Sequence, residues 1–370
     1  MPENITKTSN QLKLTWRKLR KHRLAMSSLY VLCGLYLSAI FAGFLAPYSF
    51  DNERRTLSYC PPTKIHFFTP EGRLCWPFVY RTYYKFDQFY RRIYYEDTTK
   101  KYPLRFFVKG DEWRFLGLIK TDIHLFGVDE EARIYLLGAD SRGRDLFSRI
   151  LYGGQVSLSI GLIGVTISLI IGVIIGSISG YWRGKVDSVI MRLAEIVMVI
   201  PGFYLMLALR SIFSYSLTSL QIYFIIVFIM SFIGWPGIAR VVRGMALTLR
   251  EREFVVAAKA LGVSHSKIIL THIIPHTFSY TIIAATLSIP GYILGESALS
   301  LLGLGIQDPY ASWGNLLSEA MAISQIKFHP WILIPGIFIF VAIMSFNLLG
   351  DGLRDVFDPK IEVGRKHFIG

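Results

Sequence analysis

Five long apolar runs without a charged side chain punctuate this sequence: 24–46, 150–182, 211–239, 268–295 and 328–350. Each is long enough for the roughly 20 residues that a helix needs to cross hydrocarbon. A weaker sixth run, about 190–210, has Arg192 and Glu195 at its start and is interrupted by Pro201. Its two charges belong near the interface or against other helices; an interfacial helix beside five spans is the alternative. The pattern predicts an all-α polytopic membrane protein with six transmembrane helices. In the second run, Gly164, Ser168, Gly172, Gly176 and Gly180 recur every four residues. They share one helix side and form a smooth track for close helix packing, either static or a surface on which helices shift. Prolines 201, 236, 275, 290 and 335 lie in or near spans, and the carbonyls they free must face protein or a water-filled path.

Between the fourth and fifth spans lies a segment, 240–276, of a different kind. The stretch from Glu251 to Gly262 reads as a short helix, a glycine stop, a serine restart and a second helix through His272 to Pro275. Phe254, Ala257, Ala258 and Leu261 fall at i, i+3, i+4 and i+7, one apolar stripe. Gly262 suits the C′ stop and Ser264 the next N-cap. A stripe outside the membrane with nothing of its own to pack on has the shape of a plug for another protein's groove.

Between the first and second spans, residues 47–149 are polar and tyrosine-rich, with turn signals at Pro61-Pro62 and Glu71-Gly72. They read as a folded α+β or mostly β extracytoplasmic insertion. Ile65-His-Phe-Phe, a Pro70-Glu-Gly72 turn and the residues from Leu74 suggest a hairpin, flanked by Cys60 and Cys75. An oxidising exterior would favour a bond between those two thiols; two unpaired thiols are the other reading. Cys33 falls in the first span as a small packed residue, and no Cys/His spacing resembles a metal site.

Composition agrees with the pattern: 52% hydrophobic and 18% charged residues. The net charge of +14 matters through its placement. Residues 1–23 and the 240–276 segment are rich in Lys and Arg, which holds both inside the cell. Six spans then return the C-terminus inside as well. Residues 11–23 place Leu12, Trp16 and Leu19 on one side among basic neighbours, as in a helix lying on an anionic leaflet, or form a plain topogenic charge run. No basic stripe interleaved with stacking aromatics argues for nucleic acid. The expected order is therefore a basic segment 1–23, a first span 24–46, the insertion 47–149, a five-span core 150–350 carrying the loop 240–276, and a cytoplasmic tail 351–370.

The chain has no phosphate-cradling G-x-x-x-x-G-K-[ST] motif and no catalytic signature, so it is not expected to be an enzyme or to hold a cofactor. Ser264-His-Ser-Lys267 matches S-x-x-K only formally. Glu296 is the one acid deep in an apolar run, which makes it either a substrate-pathway residue or a hydrogen-bond anchor near the outer mouth.

Four stretches together resemble one family. Ala257-Ala258, Gly262 and Pro275 match the EAA-x3-G-x9-I-x-L-P loop of permease subunits of ATP-binding-cassette importers, with Val256 where that family has Glu. Leu137-Gly-Ala-Asp140-Ser-Arg-Gly143-Arg144-Asp145-Leu-Phe-Ser148-Arg149, then Glu296-Ser-Ala-Leu299-Ser-Leu-Leu-Gly303-Leu-Gly305 with Pro309 and Ser312-Trp-Gly314, and the tail Asn347 to Pro359 are similar to the second permease of the dipeptide/oligopeptide class. The resemblance implies the type I importer fold in a bacterial cytoplasmic (inner) membrane. It also implies a second permease, two ATPase subunits that bind the ATP and Mg, and an extracytoplasmic binding protein that delivers peptides or similar solutes. Phe254, Ala257, Ala258, Leu261, Gly262 and Ser264 would then couple to an ATPase. A secondary, ion-coupled transporter using Glu296 is the rival reading.

Overall fold

The apolar runs fold as helices because, in hydrocarbon, every backbone N–H and C=O must find its partner within the segment. The computed structural model describes residues 15–69, 72–115, 117–213 and 217–357. Residues 15–21 are helical, and α1 (Arg23–Ile40) and α2 (Ala42–Leu45) follow. Five strands follow: β1 (His66–Phe68), β2 (Leu74–Phe86), β3 (Arg92–Pro103), β4 (Arg105–Phe115) and β5 (Ile119–Gly127). Then come α3 (Leu146–Trp182), α4 (Gly184–Val199), α5 (Gly202–Ser211), α6 (Ser219–Leu249), α7 (Glu253–Ala260) and α8 (His265–Ile268). The last are α9 (Phe278–Leu301), α10 (Trp313–Ser318), α11 (Ile323–Phe328) and α12 (Ile334–Phe357).

Among the described residues, five helices are long and apolar enough to cross a membrane: Arg23–Ile40, Leu146–Trp182, Ser219–Leu249, the continuous His265–Leu301, and Pro330–Phe357. The weak sixth run is a bent pair, α4 and α5, turning by 88° at Pro201, where the ring removes a donor and blocks the preceding turn. Helix ends differ from the apolar runs. The first helix stops at Ile40 rather than at residue 46, and α6 continues through the basic residues to Leu249. Hydrogen bonding carries a helix past the hydrocarbon boundary once the side chains can reach water.

The chain divides into two compact units. One comprises Met1–Cys33, Ser159–Gly295 and Val341–Gly370; the other comprises Gly34–Leu158 and Glu296–Phe340. In the first, the small-residue track packs as its spacing predicts. A Cβ on Gly176 or Gly180 would meet the carbonyl of Ala239 or Arg243 on α6 at 2.5 Å. Ser168 bonds the Ser231 carbonyl at 3.1 Å and also the Tyr292 hydroxyl. The track therefore lets α3 and α6 approach backbone to backbone.

In the second unit, residues 47–137 are mostly β, with one 3-10 turn (Arg55–Leu57). An antiparallel sheet β1-β2-β3 stands beside the hairpin β4-β5. The suggested hairpin is present, with Phe68 opposite Leu74 and His66 opposite Phe78; turn residues 70 and 71 lie outside the described residues. The Cys60–Cys75 bond is not formed, and both thiols are free. The register explains this. Cys75 follows the closed turn, whereas Cys60 precedes the open end of β1, where its carbonyl accepts the Ala139 N–H at 2.8 Å. Burial against Tyr135 and Ala139 pushes the Cys60 thiol up to about 12. Leu12 of the basic segment, and Asp358 and Pro359 of the tail motif, lie outside the described residues.

Candidate functional site

Helix α7 ends in the geometry its glycine predicts. Gly262 has φ +74, a conformation that costs a residue with a Cβ about 1–2 kcal/mol. The Val263 N–H bonds the Ala258 carbonyl and the Gly262 N–H bonds the Lys259 carbonyl, the paired bonds of a Schellman stop. Ser264 stands at the N-cap of α8, but its side chain makes no capping bond, so its expected role is reduced to backbone conformation. After α8 the helix widens into one π turn (Ile269–Ile273) and tightens into a 3-10 turn (Ile274–Thr277). These adjustments let the helix pass Pro275, which has no N–H to offer.

The stripe itself is divided. Ala258 is buried together with Val255, and both pack on Tyr181, Ala246, Ile268, Ile269 and Ile273. The helix thus does have a surface of its own chain to sit on, which corrects the expectation for Ala258. Phe254, Ala257 and Leu261 stay exposed, Leu261 at 83%, along with Val256. Phe254 stacks on His276 at 5.0 Å between centroids.

Tyr181 anchors the inner face. Its hydroxyl meets His265 Nδ1 at 2.7 Å, and its carbonyl accepts Arg250 at 2.9 Å. Lys259 lies over its ring at 4.9 Å. Partial burial, then repulsion from Arg250 and Arg183, lowers the Lys259 pKa. The helix is held from behind and presents an apolar front.

In the other unit, two further motifs meet. Asp140 accepts the Arg142 and Arg144 backbone N–H groups, both at 2.9 Å, Arg144 Nε at 2.6 Å and Arg149 at 2.8 Å. The two guanidiniums then each reach Asp308 at 3.0 Å. Arg144 and Arg149 are each 2% exposed. Two carboxylates thus close on two buried cations, and the fixed Arg fork suits this shared geometry. Asp145 starts α3 by accepting the Ser148 N–H at 2.8 Å and its hydroxyl at 2.6 Å. Burial pushes the Asp145 carboxyl up to about 6, although Ser148 pulls it back.

Glu296 is fully buried. It accepts Ser300 Oγ at 2.6 Å and Ser157 Oγ at 3.0 Å, and the Trp313 N–H donates to Ser157 Oγ at 3.1 Å. Ser312 caps α10 in a capping box with Asn315. Glu296 therefore fastens the Ser312-Trp-Gly314 turn to two helices, the contacts that its anchor reading describes. Among the described residues, no group of three or more His, Cys, Asp or Glu could hold a metal.

Residues 172–363, more than half of the chain, match the family described as "binding-protein-dependent transport system inner membrane component". Residues 10–62 match the N-terminal TM domain of oligopeptide transport permease C. This chain belongs to the binding-protein-dependent transport permeases. An oligopeptide transport system permease protein of Haemophilus influenzae is 44% identical over 227 residues, 61% of this chain and 70% of that one. A dipeptide transport system permease protein of Bacillus subtilis is 30% identical over 347 residues, 94% of this chain and 85% of its own length. A solved amino-acid ABC transporter aligns over 56% of this chain and 93% of that one at 17% identity and a TM-score of 0.41, a likeness too weak to add to this.

As a member of this family the chain is a multi-pass membrane permease subunit of an ABC importer, and the family is not itself catalytic. The permease segment contains α7 and the Glu296 anchor, while Asp140 to Arg149 precede it. Sequence reading missed Val255 as an inward anchor. It also missed the bridge from Arg144 and Arg149 to Asp308, whose only signal was the concentration of charge in each motif.

Proposed function

We propose that this permease forms half of the translocation pathway of an ATP-driven peptide importer in a bacterial cytoplasmic membrane. The pathway is completed by a second permease, fed by an extracytoplasmic binding protein and driven by two cytoplasmic ATPases that hold the ATP and Mg. The observation that carries the proposal is the half-open helix α7. Phe254, Ala257 and Leu261 form a front for the ATPase groove; Ala258 fixes the helix from behind; Gly262 and Ser264 set the angle to the next helix. Closure of the ATPases on ATP would push this helix and switch the bundle between inward- and outward-open states. The peptide assignment is supported by the two relatives named for oligopeptide and dipeptide transport. In this reading both termini and residues 250–264 are cytoplasmic, and residues 47–149 face outward.

The test is uptake of a labelled peptide by proteoliposomes holding the assembled complex, with binding protein outside, ATP inside and the proton gradient collapsed. Uptake should persist, and Glu296→Gln, which can keep the serine contacts, should reduce it by less than about threefold. Uptake that stops with the gradient, or with Glu296→Gln, would favour an ion-coupled carrier, for which the structure offers no support.

A further inference from the structure

At the end of hairpin β4-β5 the sequence Arg114-Phe-Leu-Gly-Leu-Ile-Lys120 sets apolar residues between two basic ones; residue 116 lies outside the described residues. Arg114 and Lys120 are register partners across the hairpin. At the tip, Leu118 is 84% and Ile119 64% exposed. The neighbouring hairpin β2-β3 also exposes two rings at its turn, Phe89 at 67% and Tyr90 at 88%, but there the Asp87 carboxylate closes the turn, accepting the Phe89 and Arg91 N–H groups and pairing with the Arg91 side chain.

The root of β4-β5 is pinned. Buried His124 lies 2.6 Å from the Ala46 carbonyl through Nδ1 and 2.9 Å from the Asp111 carbonyl through Nε2. The Asp111 carboxylate accepts the Ser49 N–H and Asn52 Nδ2, both at 2.8 Å. Nearer the tip, the Trp113 ring occupies the space a Cβ on Gly43 would need, and Phe115 stacks on Phe41 at 5.4 Å. These contacts step backwards from Ser49 to Phe41, so the tip descends along the first span. Beyond them, Leu37 and Gly34 join Trp113 and Phe115 around an open groove of about 740 Å³ with almost wholly apolar walls.

We propose that this tip is a lipid-binding element: it enters the outer leaflet beside the first span, the groove takes an acyl chain of an anionic phospholipid, and Arg114 and Lys120 take its phosphate. The assignment rests on the proposed function only in taking residues 34–40 as the outer part of a membrane span. The groove is continuous with side chains that such a span turns to hydrocarbon. Aromatic rings at this depth suit the interface, and the flanking cations can lay their stems on the apolar tip and reach the phosphates. The charge order fits as well. The basic pair lies nearest the tip, whereas Glu112 and Asp122 lie farther from it, 3.9 Å from Lys120 and 3.8 Å from Lys109.

The experiment uses the full chain with Cys33→Ala, Cys60→Ala and Cys75→Ala, reconstituted in vesicles of phosphatidylcholine and phosphatidylglycerol. Nitroxide labels are carried singly on Leu118→Cys, Leu37→Cys and Tyr90→Cys. Labels at 118 and 37 should collide with dissolved oxygen in preference to a water-soluble nickel chelate, and the label at 90 should do the reverse. Nickel access at 118 with hydrocarbon at 37 overturns the lipid assignment and leaves the span standing. Nickel access at both overturns the span and the assignment together. A label at 118 shielded from both reagents means a protein neighbour and also overturns it. In the same vesicles, Arg114→Gln with Lys120→Gln should lower the retained phosphatidylglycerol roughly tenfold relative to phosphatidylcholine; unchanged retention would remove the headgroup site.

Discussion

In the clamp, Asp140, Arg144, Arg149 and Asp308 come from two distant stretches and pair with one another, leaving only Arg149 Nε of these charged groups without a hydrogen bond, with both arginines out of water. Helix α7 does the opposite. It anchors Val255 and Ala258 on its own chain and leaves Phe254, Ala257 and Leu261 open. The clamp's charges are paired within the chain, so its residues should govern whether the chain folds. The front of α7 is incomplete by itself, so its residues should govern whether a correctly folded chain works. The difference separates stability from coupling in a molecule where both kinds of residue look alike in sequence.

The comparison breaks most visibly at Asp140. Asp140→Ala leaves two buried guanidiniums with half their acceptors, a loss of about 3–5 kcal/mol. The variant should fail to accumulate in membranes, measured by immunoblot against an unrelated membrane protein. Normal abundance would show that the clamp is not what holds this region.

The next effect sharpens the contrast within α7. Val255→Glu and Leu261→Glu put the same charge on the two sides of one helix. Val255→Glu buries an unpaired carboxylate among Tyr181, Ala246 and Ile268 and should lower abundance severalfold. Leu261→Glu should leave abundance intact and lower transport at least tenfold. Equal effects on abundance would erase the distinction between the two faces.

The smallest effect concerns the helix start beside the clamp. Asp145 titrates near 6 when folded and near 4 when unfolded. The folded chain therefore binds the extra proton between these values, and Asp145 costs stability as pH rises from about 4 to about 6. Asp145→Asn keeps an acceptor for Ser148 and removes that cost. Its unfolding free energy in detergent should match the parent below about pH 4 and exceed it above pH 6, by at most about 3 kcal/mol. A constant gap across that range would contradict the assignment.

Much of this architecture was legible. The spans followed from uncharged length, the close-packing face of α3, though not its partner, from a four-residue recurrence of small side chains, and the β1-β2 hairpin from its turn. Gly262 announced the helix stop because only the left-handed conformation closes it cheaply. What stayed hidden depended on partners far away in sequence. A stripe at i, i+3, i+4 and i+7 says which residues share a side, not which neighbours cover them, so the inward turn of Val255 and Ala258 toward Tyr181 could not be read. The Arg144–Asp308 bridge joins residues 164 positions apart. Cys60 and Cys75 had a plausible spacing, and only the strand register separates them.

The account turns most directly on the open side of α7. In membranes containing the full complex and a chain whose native cysteines are replaced, single cysteines at positions 257, 258 and 261 can be treated with a short bifunctional maleimide. Adducts to the ATPase subunit at 257 and 261, with none at 258, are the predicted result. No adduct at 261, or an equal one at 258, would contradict it.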